Sequence, residues 1–210
     1  MRPEEPGAPG AGAAPRRATV ERVTRETRIR LALDLDGEGS ASLRTGLPFF
    51  EHLLDAFARH GLFDLEVEAE GDLEVDAHHT VEDVGLCLGR ALGEALGDHA
   101  GIRRFGWAAP PMDETLVLAA VDLSGRPFLD WGVEVAPRAF GLFHSDLAAE
   151  FWRAFAAEGR MTLHLRTLAG AQPHHVLEAT WKAAALALRQ AVEPDPRRRG
   201  VPSTKGWIEH

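Results

Sequence analysis

The chain has 210 residues and a hydrophobic share of 45%, which suffice for one large domain or two small fused domains with a real core. Its formal net charge of −9 at pH 7 argues against general nucleic-acid binding, because that function uses a basic surface. The single cysteine, Cys87, excludes an intrachain disulfide and a cysteine-based metal site.

The sequence shows no secretory signal and no apolar run of membrane-spanning length. Together with the single cysteine, this is typical of the reducing cytoplasm, so we predict a cytoplasmic protein that binds neither membranes nor nucleic acids. A small anionic substrate is still compatible with the negative net charge, because a few local Arg and Lys side chains can bind it.

The N-terminal segment, residues 1–17, is rich in Pro, Gly and Ala and has no apolar period, so we predict a disordered tail. Apolar residues then alternate over Thr19–Asp36, which predicts a strand. The turn residues Asp36–Gly39 predict a hairpin with a second strand over Ser40–Thr45. Glu26 lies in the first strand among arginines, and the residues alone favour a solvated strand face.

The rest of the first half contains a helix, a strand and a second helix. An apolar stripe predicts a helix over about Phe49–Arg59, and Pro48 suits its first turn. Alternation predicts a strand over Leu62–Glu70, and a further apolar period predicts a helix over about His78–Leu96. His52 lies at the edge of the first helix's apolar stripe, where a lone histidine is usually half-buried.

A short linker at Gly101–Gly106 precedes a second half in which the same order of patterns recurs. Its predicted strands and helices lie at Met112–Asp122, Phe128–Val135, His144–Glu158, Arg160–Leu168 and about His174–Val192. We therefore predict half-repeats at 18–100 and 101–193, and a substrate-binding C-terminal segment at 194–210. The predicted fold is α/β (α+β): an internally duplicated ββαβα unit with a helical layer sandwiched between two four-stranded sheets.

The last helix of each half begins with the pattern HHxxE, in which two histidines precede a glutamate. Positions i and i+4 share one helix face, so the first histidine and the glutamate can bind one cation together. The second histidine points about 100° away around the helix and is placed to bind a second cation. The two helices thus predict two metal sites, each built from more than one element, at His78, His79, Glu82, His174, His175 and Glu178. Histidine with carboxylate suits Mn, Fe, Zn or Co.

The C-terminal segment is a basic loop broken by prolines, and it leads to Ser203, Thr204 and Lys205. The hydroxyl, backbone and ammonium donors of such a cluster can hold a phosphate group. The residues alone therefore indicate metal-assisted chemistry on a small anion, and they leave hydrolysis, elimination and isomerisation open.

Ordered sequence blocks between about Arg22 and Ile208 closely resemble one known family, the imidazoleglycerol-phosphate dehydratases. The blocks are Leu35–Gly39, Phe50–Leu54, Asp76–Asp83, Gly101–Gly106, Pro111–Glu114, Asp122–Pro127, the second HHxxE segment with Lys182, and Pro202–Gly206. The resemblance implies an enzyme that removes water from D-erythro-imidazole-glycerol phosphate to give imidazole-acetol phosphate in histidine biosynthesis. It also implies two Mn²⁺ ions per active site, a duplicated fold, and assembly to 24 subunits with sites between neighbours.

The same resemblance implies roles for individual residues. Family metal ligands correspond to His52, His78, His79, Glu82, His174, His175 and Glu178. Glu26 would contact the substrate and is the candidate general acid/base, in a catalytic set with His52, His79, Glu82, His175 and Glu178. The phosphate would be held by Arg104, Arg126, Ser203, Thr204 and Lys205, with Lys182 nearby.

One position departs from the family pattern, because many members carry a further histidine ligand where this chain has Glu150. A carboxylate can still bind Mn²⁺, so we count Glu150 as a candidate ligand; the alternative is that it only pairs with a cation. This change leaves open a metal-binding assembly protein that has lost catalysis. A two-metal phosphohydrolase is a separate alternative.

Overall fold

The computed structural model describes residues 15–208. Most of the predicted N-terminal tail therefore lies outside the described residues. The end of that predicted tail is structured, since the first strand begins at Arg17 and Arg16 pairs with Asp36 through Nε and Oδ2 at 2.9 Å. None of the helices in this described range is long and apolar enough to cross a membrane.

The first sheet has four strands: β1 (Arg17–Val23), β2 (Thr27–Asp34), β3 (Ala41–Arg44) and β4 (Asp64–Gly71). Their order is β1-β2-β4-β3, with β3 parallel to β4 and the other pairs antiparallel. Side chains of β2 and β4 alternate between buried and more exposed positions, so one face of the sheet covers the core.

Two expectations for this region were wrong. The predicted strand over Thr19–Asp36 is two strands, because the Thr24 hydroxyl accepts the backbone N–H groups of Glu26 and Thr27 at 3.1 and 2.9 Å and turns the chain. Glu26 therefore lies in a hairpin turn instead of on a strand face. The predicted hairpin to Ser40–Thr45 does not form either, because β3 pairs in parallel with β4.

The second sheet is built from β5 (Phe105–Ala108), β6 (Pro111–Met112), β7 (Thr115–Asp122), β8 (Phe128–Gly132) and β11 (Thr162–Ala169). Its order is β5-β7-β11-β8, with β6 on β7 and with β8 parallel to β11. The path repeats that of the first sheet, which confirms the duplicated fold. A short hairpin of β9 (Ala139–Phe140) and β10 (Phe143–His144) stands apart.

Four helices complete the molecule: α1 (Pro48–Gly61), α2 (His78–Leu96), α3 (Leu147–Glu158) and α4 (Pro173–Val192). Helix α2 packs on β1 and β2, whereas α4 packs on β5 and β7. Across the layer α2 contacts α3 and α1 contacts α4, so the helices lie between the two sheets as predicted. The largest fully buried side chains of this layer include Trp152 and Trp181, whose rings lie 5.0 Å apart.

The second half differs from its predicted boundaries in detail. The second sheet has five strands, because β6 adds to the four, and the predicted linker at Gly101–Gly106 runs into β5. The predicted strand over Met112–Asp122 is interrupted by a two-residue turn. Helix α3 begins after the predicted start at His144, because that residue pairs with Ala139 in the short hairpin.

Candidate active site

The best-formed group of candidate ligands lies between α1 and α4. His174 and Glu178 stand one turn apart on α4, and the packing of α1 against α4 brings His52 to the same place. Nε2 of His52 and Nε2 of His174 lie 3.0 and 3.1 Å from a single oxygen, Oε2 of Glu178. Two imidazole nitrogens and one carboxylate oxygen thus face one point, and this donor set fits a borderline divalent metal ion.

Glu178 is buried and ionised. Burial by itself would raise the pKa of its carboxyl group, but the Lys182 ammonium and the His52 ring lower that pKa to about 2. Lys182 Nζ lies 2.6 Å from Oε1 of Glu178, on the oxygen that the histidines leave free. The carboxylate is therefore negative at neutral pH and available as a ligand.

An aromatic wall holds the two histidine rings of this group. The Phe49 ring centroid lies 6.1 Å from that of His52 and 5.2 Å from that of His174. Phe49 itself stacks on Phe140, with centroids 3.9 Å apart. This packing limits rotation of the rings and so keeps their Nε2 atoms directed at Glu178.

A second group forms where α2 begins. His78 Nε2 and Glu82 Oε2 lie 3.5 Å apart, as expected one turn apart on a helix. Nδ1 of His79 lies 3.1 Å from both carboxylate oxygens of Asp72, and this hydrogen bond raises the pKa of His79. Glu26 Oε2 lies 3.9 Å from the other ring nitrogen of His79. Sequence reasoning missed Asp72, whose only signal is its place directly after the strand that precedes α2.

A third group surrounds His175 at the start of α4. Its Nδ1 lies 2.9 Å from Oε2 of Glu114, and its Nε2 lies 3.9 Å from Oδ2 of Asp113. The hydrogen bond with His175 lowers the pKa of Glu114. These three side chains are close enough together to hold a metal ion. In the sequence, Asp113 and Glu114 belong to a block that resembles the dehydratase family, but no pattern assigns a role to either residue.

The two HHxxE segments do not meet within one chain. Across residues 15–208, no group of three or more candidate ligands combines a residue of the α2 segment with one of the α4 segment. The reason is the packing, because α2 lies on the first sheet beside α3 and α4 lies on the second sheet beside α1. The α2 segment opens toward solvent, with the side chains of His78 and Glu82 exposed by 42% and 44%, whereas in the α4 segment His174 is partly exposed and Glu178 is buried.

Glu150 lies on the outer part of α3 and pairs there with Arg153, three residues further along the helix. Within the described chain, Glu150 belongs neither to the group of His52, His174 and Glu178 nor to the group of Asp113, Glu114 and His175. Its side chain instead borders an open cavity with Trp131, Arg138 and His144. The assignment of Glu150 as a ligand stays a prediction about an assembled form.

Several predicted phosphate-binding residues meet around Asp122 at the end of β7. Arg104 donates from Nε and Nη2 to the two Asp122 oxygens at 2.6 and 3.1 Å, and Nη2 of Arg126 lies 3.8 Å from the same carboxylate. Arg104 also donates from Nη1 to the carbonyl oxygen of Pro202 at 2.8 Å, which attaches the C-terminal loop to this corner. The structure thus brings Arg104 next to the segment that contains Ser203, while Arg126 shares the Asp122 carboxylate with Arg104.

The remaining predicted phosphate residues are placed differently. The Ser203 hydroxyl accepts the backbone N–H of Lys205 at 3.2 Å, while the Thr204 and Lys205 side chains are exposed. Lys182 is apart from the two arginines and faces Glu178 and the sulfur of Met112, at 3.8 Å from Nζ. Asp122 is not among the predicted site residues, because its only signal in the sequence is its place at the start of a block that resembles the family.

The chain matches the protein-family model described as imidazoleglycerol-phosphate dehydratase over residues 45–188. A protein of that name from Moorella thermoacetica is 56% identical over 193 residues, covering 92% of this chain and 98% of the relative. One from Acidiphilium cryptum is 56% identical over 194 residues, covering 92% of this chain and 99% of its own.

Solved structures agree with these sequence matches. The crystal structure of imidazoleglycerol-phosphate dehydratase from Staphylococcus aureus N315 has a TM-score of 0.77 at 32% identity, covering 85% of this chain and 99% of its own. The crystal structure of the enzyme from Pyrococcus furiosus in complex with (S)-C348 has a TM-score of 0.78 at 35% identity, covering 90% and 100%.

Proposed function

The chain belongs to the imidazoleglycerol-phosphate dehydratase family, and from this premise we propose that its active site is completed between subunits around divalent metal ions. The protein is a hydro-lyase of histidine biosynthesis that removes water from imidazole-glycerol phosphate, and the family is metal-dependent. We also propose a cytoplasmic location, as expected for a biosynthetic enzyme with a single buried cysteine.

The proposed cofactor is two Mn²⁺ ions per active site, and other divalent metals are compatible with the same donors. Support comes from the convergence of His52, His174 and Glu178 on one point and from the ionised state of Glu178. The proposed ligands are His52, His78, His79, Glu82, His174, His175 and Glu178, with Glu150 as a further candidate. When bound, such ions act as Lewis acids toward the substrate and stabilise charge that develops on it.

The observation that carries the proposal of shared sites is the separation of the two HHxxE segments in one chain. The α2 segment offers imidazole and carboxylate groups to solvent, and the α4 segment offers its partly exposed imidazoles above the buried Glu178. Neither α2 nor α4 can reach the other's segment without a second copy of the chain. We therefore propose a homo-oligomer in which α2 of one subunit faces α4 of a neighbour, and we take its size of 24 subunits from the resemblance to the family.

The chain's own residues would bind and protonate the substrate. The guanidinium groups of Arg104 and Arg126, with the donors at Ser203, Thr204 and Lys205, would hold the phosphate group. Glu26, exposed in its hairpin turn and 3.9 Å from His79, would take a proton from the substrate carbon and supply one to the departing hydroxyl group. Lys182 would keep Glu178 ionised through its ion pair with Oε1 of that residue, and its predicted place near the phosphate would require the assembled form.

Metal removal tests this proposal. Purified full-length protein is stripped with a chelator and its metal content measured, and formation of imidazole-acetol phosphate is followed before and after Mn²⁺ is returned. We expect turnover to disappear on stripping and to return with Mn²⁺, while circular dichroism shows that the fold persists. Full turnover in metal-free protein would contradict the proposed cofactor, and turnover by a monomer in light scattering would contradict the shared site.

A further inference from the structure

The second histidine of each HHxxE pair contacts a carboxylate that comes from outside its helix. We propose that these carboxylates, Asp72 for His79 and Glu114 for His175, are positioning residues that make Nε2 of each ring the metal-binding nitrogen. This inference rests on the proposed metal-dependent site. It concerns residues to which the HHxxE pattern gives no role.

Asp72 is held in place by the first sheet. Its backbone N–H donates to the carbonyl oxygen of Glu26 at 3.1 Å, which continues the β2–β4 ladder by one step beyond the pair Thr27–Gly71. Both of its carboxylate oxygens lie 3.1 Å from Nδ1 of His79. The side chain is 20% exposed, so most of its surface is covered by protein. The sheet therefore fixes this acceptor next to the first turn of α2.

Glu114 is held by a tight turn in the second sheet. It follows Asp113, whose φ of 49° closes the two-residue connection between β6 and β7. Oε1 of Glu114 accepts the hydroxyl of Thr115 at 3.0 Å, and Oε2 accepts Nδ1–H of His175 at 2.9 Å. Because each oxygen has its own donor, the carboxylate has one preferred orientation toward the ring.

The hydrogen-bonding capacity of imidazole determines which ring nitrogen remains available to bind a metal ion. A neutral histidine ring has one N–H and one lone pair, and an ionised carboxylate can only accept a hydrogen bond. A carboxylate beside Nδ1 therefore keeps the proton on Nδ1 and leaves the lone pair on Nε2. The first histidine of each pair is different, because its Nε2 lies toward the glutamate of its own helix.

The duplication by itself does not explain the two carboxylates. Asp72 directly follows β4, and the residue that directly follows the matching strand β11 is Gly170, which has no side chain to accept a hydrogen bond. The second half instead supplies its acceptor from Glu114, which directly precedes β7 and so matches Glu26, the residue before β2, and not Asp72. The same contact is therefore made from two unrelated positions in the repeat, which favours a functional reason over simple inheritance from the ancestral unit.

The test measures metal affinity in the full-length protein. Metal-free wild type and the variants Asp72→Ala, Asp72→Asn, Glu114→Ala and Glu114→Gln are titrated with Mn²⁺ against a competing chelator. Loss of such outer carboxylates weakens metal binding by about 10–100-fold, and we expect this range for both alanine variants. The amide variants should recover part of the affinity, because their carbonyl oxygen can still accept the Nδ1–H group.

Glu74→Ala and Glu134→Ala serve as matched controls, since both glutamates are exposed and their side chains have no hydrogen bond or ion pair within residues 15–208. Thermal melting of the metal-free proteins reports any purely structural effect, which the amide variants should largely avoid. If the Asp72 and Glu114 variants bind Mn²⁺ with the same affinity as the controls, the positioning role is overturned and the proposed function is not. A wild-type protein that binds no Mn²⁺ would instead overturn the proposed function as well.

Discussion

At the scale of single residues, the candidate site depends on charges that compensate each other at short range. Glu178 is the clearest case, because it accepts from two histidines through one oxygen and from Lys182 through the other. Its carboxylate would be costly to bury without these partners. The same contacts that prepare it as a ligand therefore also stabilise the metal-free fold.

This pairing predicts a pH-dependent stability that can be measured. The pKa of Glu178 is lowered to about 2 in the folded chain, so its contribution to stability is fully present above its ordinary value of 4.5. The contribution is lost as the pH falls from there through about 2. We expect Lys182→Met to reduce the free energy of unfolding of metal-free protein by about 2 kcal/mol at pH 7. The difference from wild type should shrink as the pH falls from 4.5 toward 2.

Urea denaturation at several pH values measures the effect. Arg126→Met is the control, because Arg126 lies in the other predicted substrate-binding region and its side chain is 63% exposed. A Lys182→Met difference that stays constant from pH 7 to pH 3 would show that the lysine stabilises the fold through packing instead of through Glu178.

At the scale of elements, the site depends on how closely the helices approach each other. A Cβ atom at Gly85 would lie 2.6 Å from the carbonyl oxygen of Phe151, and one at Gly89 would lie 2.5 Å from that of Phe155. Helices α2 and α3 are therefore in backbone contact along these two glycines. This contact sets the position of α2, and with it the direction in which His78, His79 and Glu82 open.

Alanine substitutions along α2 give a matched pair of predictions. Gly89→Ala should lower the free energy of unfolding by about 1–3 kcal/mol or more, which is the usual cost of overpacking. The added Cβ would clash with the backbone of α3, which cannot move independently of its helix. Gly93→Ala on the same helix meets no atom within 4 Å and should stabilise by up to about 1 kcal/mol through helix propensity. Thermal and urea unfolding measure the stability of both variants. If the two substitutions change the free energy of unfolding equally, the close contact between α2 and α3 is contradicted.

At the scale of the whole molecule, the chain provides two incomplete halves of a proposed site and holds them apart. The duplicated fold packs α2 and α4 on opposite sheets, so the internal symmetry that created two HHxxE segments also separates them. Association of copies is the simplest way to combine the segments, because a repeated contact between identical chains brings every α2 to an α4.

Mixing of two inactive variants tests this arrangement. Glu82→Ala damages the α2 segment and Glu178→Ala damages the α4 segment, so each protein alone should have almost no turnover. If the subunits are mixed in equal amounts, dissociated and reassembled with Mn²⁺, random assembly gives intact pairs at about a quarter of the sites, and we expect activity near that fraction. No recovery in mixed oligomers of normal size would contradict sites shared between subunits.

The pattern of residues along the chain is enough to predict the short-range and repeated features of the molecule. The ligand types, the start of α2 at His78, the duplication and the layered α/β fold follow from periodicities of 2 and 3.6 residues, which act between near neighbours in the chain. The resemblance to known dehydratases added the reaction, and the family match confirmed it.

Contacts between side chains that are distant in sequence became visible only in the folded chain. His52 reaches Glu178 across 126 positions, Glu114 reaches His175 across 61, and Arg104 holds the C-terminal loop across 98. The turn at Glu26 and the parallel pairing of β3 were likewise hidden, because a hydroxyl group and a sheet neighbour overrode the apolar alternation. Such contacts depend on how helices and sheets pack against each other. The spacing of residues along the chain does not specify that packing, so it cannot predict which distant side chains meet.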